Sequence, residues 1–96
     1  MHGMVELDLS SNDISASTGL LEALSAMHNL GELLLQHNKF GTEGARQVVL
    51  SISVKSPLER IWFQNNDISV ESRAEIKSLA SQRGPDGMSF QIEFGN

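Results

Sequence analysis

The stretch Leu30-Gly31-Glu32-Leu33-Leu34-Leu35-Gln36-His37-Asn38-Lys39-Phe40 decides the fold of this chain. Its residues Leu33 and Leu35 are two positions apart, so in a strand their side chains point to the same face. The stretch then reaches Asn38, whose side-chain amide carries both donors and an acceptor. Buried at a bend, such an amide can satisfy backbone groups that the departing chain leaves unpaired. The stretch therefore predicts a short strand that ends in a buried asparagine.

The same spacing of apolar residues and asparagine occurs on both sides of this stretch. Stacking the three copies would place Asn12, Asn38 and Asn66 in one column, and three agreeing copies argue against chance. The intervals of 26 and 28 residues between these asparagines leave room for a helix after each strand. The earlier copy contains Met4, Leu7, Leu9, Asn12 and Ile14, and the later copy contains Leu58, Ile61, Phe63, Asn66 and Ile68.

This pattern resembles the helix-containing leucine-rich repeats, those of ribonuclease inhibitor, the cytosolic NOD-like receptors and the Ran GTPase-activating protein. The segments from Leu7 to Ile14 and from Asn38 to Gly44 carry the resemblance, which covers the chain from Met4 to Phe94. It implies an α/β solenoid of about three and a half repeats, with parallel strands on the concave face and helices on the convex face. The repeats would be residues 4–29, 30–57 and 58–87, followed by a closing strand over 88–94. The chain contains no cysteine, unlike ribonuclease inhibitor.

Local patterns set the expected bounds of the elements. Strands are predicted at Val5–Leu9, Glu32–Leu35 and Arg60–Phe63, and a turn at 84–87. The first helix should run to Met27, capped by Ser17 or Thr18, and the second should begin at an N-cap on Thr42. In the second helix, Gly44 would allow close packing, and the β-branched tail 51–54 leaves its helical state open. The third helix should run over 69–81, with Val70 on its apolar side, and the last strand should bury Phe90 and Ile92 as its core pair.

Composition narrows the class of protein. The chain has 96 residues and a net charge of -5, and its first 38 residues contain no Lys or Arg. A nucleic-acid-binding protein would be expected to present a basic patch, so that class is disfavoured. We expect one domain, either residues 1–96 as a whole or the C-terminal part of a longer repeat protein. No apolar run reaches the length of a membrane span, no signal peptide is visible, and cysteine is absent, so we expect a cytoplasmic protein without membrane contact.

The residues between the core leucines are expected to form a binding surface on the concave face. One column of this surface should read Asp8, Leu34, Trp62, Gln91. Leu34 and Trp62 are large apolar residues where polar ones would suffice, and Trp is enriched at binding hot spots. Trp62 either contacts a partner or is covered by the chain's own terminus or a symmetry mate, and Arg60 could pair with Glu32. The predicted partner-binding residues are Asp8, Glu32, Leu34, Gln36, Arg60, Trp62 and Gln64.

We find no pattern that indicates catalysis, a cofactor or a metal. The three histidines, His2, His28 and His37, lack metal-ligand spacing, and no Ser/His/Asp grouping is evident. Gly41-Thr42-Glu43-Gly44 has neither the spacing nor the Lys of a phosphate-binding loop. The chain is therefore predicted to be a non-enzymatic module that binds another protein. Two alternatives are a GTPase-activating or other enzyme-regulatory domain and a structural subunit of a large complex. The exposed edge of strand one predicts either self-association or a longer parent chain.

Overall fold

Four short strands alternate with three helices along the part of the chain that the structure describes. This computed structural model describes residues 5–52, 57–83 and 90–95. The strands form a single parallel sheet in the order β1-β2-β3-β4, so the predicted α/β class with parallel strands and intervening helices is confirmed. The elements are β1 (Val5–Asp8), α1 (Thr18–Ala26), β2 (Leu30–Leu34), α2 (Gly41–Ser51), β3 (Arg60–Trp62), α3 (Val70–Arg83) and β4 (Gln91–Glu93).

One face of the sheet and the helices that pack beside one another enclose the core. Leu7, Leu33, Ile61 and Ile92 lie side by side in the parallel register. Leu33 and Ile61 are fully buried, whereas Leu7, at the outer strand, is only half-buried. Because side chains alternate along a strand, the residues on either side of these four face away from the helices.

Aromatic rings continue the core beyond the ends of the strands. Phe63 packs edge-on against Phe40 with ring centroids 6.0 Å apart and stacks on Phe94 at 6.3 Å. All three rings are buried. This stack is consistent with the position of β4, in which Phe94 rather than Ile92 lies opposite Phe63. The predicted pair Phe90 and Ile92 is buried, but Ile92 and Phe94 are the counterparts of Ile61 and Phe63.

Helix α1 has the predicted N-cap. Ser17 has an extended backbone, and its Oγ accepts a hydrogen bond from the N–H of Leu20 at 3.2 Å. The first N–H groups of a helix lack partners within the helix, so a side-chain acceptor at this position stabilises the helix start.

The predicted N-cap on Thr42 is wrong. Helix α2 begins at Gly41, and Thr42 Oγ1 accepts a hydrogen bond from the N–H of Ser69 at 3.2 Å. The backbone N–H groups at the start of α2 find their acceptors in the neighbouring turn. Asn66 Oδ1 accepts the N–H of Phe40, and the backbone carbonyl of Asn66 accepts the N–H of Gly41. A long-range partner therefore replaces the local cap.

Helices α2 and α3 each bury residues in the core. Gly44 is buried, and a Cβ there would lie 3.3 Å from Cβ of Phe40, the cap residue of the same helix, and 3.6 Å from Cβ of Ala16 before α1, so the space around it is small. Val70 is 70% exposed, so the prediction that it lies on the apolar side of α3 is wrong. The core instead takes Ile76 and Ala80 from later turns of this helix.

Most of the remaining predicted bounds agree to within two residues, as is common at helix and strand ends, and the closing strand predicted over 88–94 is found at Gln91–Glu93. Helix α2 ends at Ser51, and its cap residue Ile52 is buried. The predictions for Met4, Ser53, Val54, Met88, Ser89 and the turn 84–87 lie outside the described residues. Among the helices in residues 5–52, 57–83 and 90–95, none combines the length and hydropathy that crossing a membrane requires.

Candidate protein-binding face of the sheet

The face of the sheet that points away from the helices carries two rows of side chains across the four strands. The register places Trp62 beside Leu34 on one side and beside Glu93 on the other. The predicted column with Gln91 next to Trp62 is therefore wrong, because the stacking of Phe94 on Phe63 displaces β4 by two residues from the expected alignment. One row reads Glu6, Glu32, Arg60, Gln91, and the other reads Asp8, Leu34, Trp62, Glu93.

Trp62 is half-buried and is held from two directions. Its indole Nε1 donates a 2.6 Å hydrogen bond to Oε2 of Glu32, which lies diagonally across on β2. The guanidinium carbon of Arg60 lies 5.2 Å from the centroid of the indole ring. Diagonal neighbours on adjacent strands are close enough for long side chains to meet. The ring is therefore fixed in one orientation, with part of its surface left exposed.

The predicted ion pair between Arg60 and Glu32 is wrong. Glu32 accepts the indole N–H instead, and Arg60 lies 3.8 Å from the carboxylate of Glu93 and 3.3 Å from Oε1 of Gln91. Glu93 is not among the site residues predicted from the sequence. The contact of Glu93 with Arg60 depends on the register of β4, which places Glu93 beside Trp62.

The apolar part of this face is small and has a charged rim. Leu34, also half-buried, lies beside Trp62, and the rim around the pair consists of Asp8, Glu32, Arg60 and Glu93. An apolar centre within a polar rim is the arrangement found in protein–protein interfaces. In the two rows the acidic side chains outnumber the single basic one, so the face has a negative potential.

Asp8 remains ionised to lower pH than an ordinary aspartate. The hydroxyl of Ser10 donates a 2.7 Å hydrogen bond to Oδ1 of Asp8, and the backbone N–H of Ser10 donates a second bond at 3.1 Å. Both bonds favour the charged carboxylate and lower the pKa of Asp8. At neutral pH the acidic end of this face therefore keeps its charge.

Gln36 and Gln64, the remaining predicted contacts, follow β2 and β3 and lie outside the Trp62 cluster. Their Oε1 atoms are buried, and neither has a hydrogen-bond partner within the described residues. Gly95 packs closely on Gln64, since a Cβ on Gly95 would lie 2.9 Å from Cγ of Gln64. The chain's own C-terminal segment thus covers part of Gln64, which reduces its access to a partner.

The three asparagines join neighbouring strand-to-helix turns. Asn38 Oδ1 accepts the backbone N–H groups of Asn12 and Ile14 at 2.8 and 2.9 Å, and its Nδ2 donates to the carbonyls of Leu9 and Leu35 at 2.8 and 3.0 Å. The side chain thereby links its own turn to the turn before it.

Asn66 repeats this arrangement one turn later. Its Nδ2 donates to the carbonyl of Leu35 at 2.8 Å and to that of Phe63 at 3.1 Å, and its Oδ1 accepts the N–H of Phe40 at 3.2 Å. Asn38 and Asn66 are 5% and 1% exposed, whereas Asn12 at the outer strand is exposed. The spine of asparagines is thus complete in the middle of the sheet and open at β1.

At least one residue in each of the three turns has a left-handed backbone conformation. Ser11, His37 and Asn65 each precede an asparagine of the spine, and each has a φ near +60°, the left-handed region. Short polar residues tolerate this region better than β-branched ones. The Nδ2 of Asn65 lies 3.1 Å from Nδ1 of His37, which joins two of these turns at the surface.

Within the described residues, no group of three or more acidic or histidine side chains is arranged to hold a metal ion. The chain matches no protein-family model, no curated protein and no solved structure.

Proposed function

We propose that this chain is a leucine-rich repeat module that binds a partner protein through the outward face of its sheet. On this proposal the sheet is the concave surface of a short solenoid, and the helices form its convex side. Supporting it are the recurrence of one strand, one asparagine turn and one helix, and the hydrogen bonds by which Asn38 and Asn66 join successive turns. Each unit buries its apolar face only by packing against its neighbours, as repeat proteins do.

The orientation of Trp62 is the observation that carries the binding proposal. A tryptophan fixed by Glu32 and Arg60 loses little conformational freedom when a partner covers it, so more of the contact energy appears as affinity. Leu34 extends the apolar contact on the side of β2. The surrounding charges exclude non-complementary surfaces and give the contact its specificity.

The experiment compares three forms of the full chain as affinity baits: wild type, Trp62→Ala and Val70→Ala. Val70 is the matched control, because it is an exposed apolar residue on α3, remote from the outward face. We expect a partner that wild type and Val70→Ala retain and that Trp62→Ala loses by about tenfold or more, as for a hot-spot residue. Retention of the same partner by all three forms would contradict the proposal.

Unfolding measurements separate a binding role of Trp62 from a role in the core. Truncating a half-buried ring should lower the free energy of unfolding by about 1–2 kcal/mol, against about 3–5 kcal/mol for Phe63→Ala in the core. A loss for Trp62→Ala as large as that for Phe63→Ala would show that Trp62 is a core residue. If the retained partner is a GTPase, turnover measured with and without this chain tests a regulatory role.

A further inference from the structure

Both outer strands of the sheet leave backbone groups without a partner in the described parts of the chain. The N–H groups of Val5 and Leu9 donate toward β2, so those of Glu6 and Asp8 point to the open edge. On the opposite side, Gln91 and Glu93 bond to β3 and its neighbours, so the backbone of Ile92 points to the other open edge. Since all strands are parallel, the β4 edge of one molecule matches the β1 edge of another.

The β1 end has apolar side chains that the rest of the molecule does not fully cover. Leu7, Leu20, Leu21 and Met27 are only partly buried, and Leu24 alone of α1 is fully buried. In the middle of the molecule, Leu33 and the valines of α2 have no exposed surface. The difference arises because, among the described residues, the middle elements have neighbours on both sides, whereas β1 and α1 have neighbours on one side only.

The β4 end has a groove that could receive the apolar side chains of the β1 end. A groove of about 400 Å³ lies between α3 and β4, with Phe90 and Ile92 among its walls and Lys77 and Ser81 on its helical side. A second, open depression of about 610 Å³ lies past the end of β3, with Gln64, Asp67, Arg73 and Gly95 among its walls. The groove lies where the next helix and strand would pack if the arrangement of the sheet continued.

The two ends also differ in charge. The β1 end carries Glu6, Asp8 and Glu22, and no Lys or Arg occurs in the first 38 residues. The β4 end carries two cations, since Arg73 and Lys77 lie 5.5 and 5.8 Å from the ring centroid of Phe94. The carboxylate of Glu93 on this end is already opposed by Arg60 at 3.8 Å. Helix α3 also carries Glu71 and Glu75, and Glu75 is paired with Arg46 of α2. The two cations of the β4 end attract the acidic β1 end, and like charges disfavour contact between two β1 edges.

An ion pair inside the molecule indicates how the helices of two copies would meet. Arg46 of α2 lies 2.9 Å from Glu75 of α3, so a cation and a carboxylate already join one pair of neighbouring helices. Glu22 is the fifth residue of α1 and Glu75 is the sixth of α3, and both are exposed. When α1 of one copy packs beside α3 of another, Glu22 is the carboxylate available to the cations of α3.

We propose that the β1 and α1 end of one copy docks onto the β4 and α3 end of a second copy, so that the parallel sheet continues across the two chains. The proposal does not depend on a partner at the Trp62 face. The contact is heterologous, because it joins two different surfaces of the same chain, and each added copy presents a new open end. The assembly therefore grows with concentration and does not stop at a dimer.

The test measures the mass of the full chain by light scattering over a range of concentrations. One variant blocks the β1 end: Glu6→Pro removes an N–H that points to the open edge and takes no part in pairing with β2. A second variant, Lys77→Glu with Ser81→Glu, reverses the charge of the groove at the β4 end. Gln47→Glu, at an exposed position of the middle helix α2, is the matched control.

Wild type and Gln47→Glu should exceed the mass of a dimer at high concentration, and each blocked variant alone should remain monomeric. An equimolar mixture of the two blocked variants should form a dimer and nothing larger, because one open end of each kind remains. Circular dichroism checks that both variants are folded. If Glu6→Pro does not fold, Glu22→Lys at an exposed helical position replaces it.

Two results would overturn the proposal. The first is a wild-type chain that stays monomeric at every concentration. The second is a dimer of Lys77→Glu with Ser81→Glu alone, since that dimer would join two β1 edges and not unlike ends.

Discussion

The indole Nε1 of Trp62 lies 2.6 Å from Oε2 of Glu32, so a carboxylate of β2 holds the largest side chain of β3 on the outward face of the sheet. Glu32 lies in register with Arg60, and the Coulomb attraction between them would favour an ion pair. The carboxylate instead takes a neutral donor, and Arg60 is shared between the indole ring and Glu93. Four side chains from three strands thereby form one connected cluster.

Glu32→Ala tests whether this bond orients the indole. The indole N–H should lose its acceptor and exchange faster with solvent, and the free energy of unfolding should fall by about 0.5–1.5 kcal/mol, the usual range for one hydrogen bond. The indole resonance in a ¹H–¹⁵N spectrum and its exchange rate give the answer. Glu59→Ala, an exposed position just before β3, is the control and should leave that resonance in place. An unchanged indole resonance in Glu32→Ala would rule out the bond in solution.

The asparagine spine predicts a gradient of stability. Asn66→Ala removes a side-chain amide that bonds to four backbone groups and belongs to a residue only 1% exposed to solvent. We expect a loss of about 2–4 kcal/mol for Asn66→Ala and a similar loss for Asn38→Ala, because the backbone groups are left unsatisfied in the interior. Asn12→Ala should cost less than about 1 kcal/mol, since water can replace its side chain. Equal losses at all three positions, measured by chemical denaturation, would contradict the gradient.

Two helical glycines should respond in opposite directions to larger side chains. A Cβ on Gly19 meets no atom within 4 Å, so Gly19→Ala should stabilise the chain by up to about 1 kcal/mol through the lower entropy of the unfolded state. Gly44 is packed against Phe40 and Ala16, and Gly44→Leu should destabilise the chain by about 1–3 kcal/mol through overpacking. Thermal unfolding of both variants checks the signs. A stabilising Gly44→Leu would show that the α2 packing is loose.

Asp8 supplies a prediction about pH. Hydrogen bonds from the hydroxyl and the N–H of Ser10 lower the pKa of Asp8 in the folded chain. A lowered pKa means that the bonds stabilise the fold above the unfolded pKa, and that this contribution is lost as pH falls through the folded pKa. Ser10→Ala should raise the pKa of Asp8 toward its ordinary value, and Ser10→Thr, which keeps the hydroxyl, should preserve the lowered value. Carboxyl ¹³C titration by NMR measures both, and identical curves for the two variants would exclude the hydroxyl as the cause.

Local sequence patterns predicted the elements well because their causes are local. The side chains of Leu33 and Leu35 point to the same face whenever their segment is a strand. Ser17 caps α1 by accepting a hydrogen bond from an N–H only three residues away. The failures occurred where a distant residue decides. Thr42 accepts a hydrogen bond from Ser69, 27 residues later, and does not cap its own helix. In α3, Ile76 and Ala80 are buried in the core and Val70 is exposed. A single sequence does not rank such long-range alternatives.

Some features of the candidate site could also be predicted from local sequence, and others could not. That Leu34 and Trp62 face outward from neighbouring strands follows from alternation and was predictable. Two contacts could not be predicted from any local pattern. The hydrogen bond from the indole to Glu32 depends on side-chain angles, and the contact of Glu93 with Arg60 depends on the register of β4.

The sequence by itself determined that this chain alternates short strands with helices and that asparagines end the strands, because spacing and side-chain chemistry act over a few residues. Only the tertiary structure decided how β4 aligns with β3 and which groups hold Trp62. The physical reason is that one aromatic contact, between Phe63 and Phe94, selects among strand registers that differ by two residues and keep the same face buried.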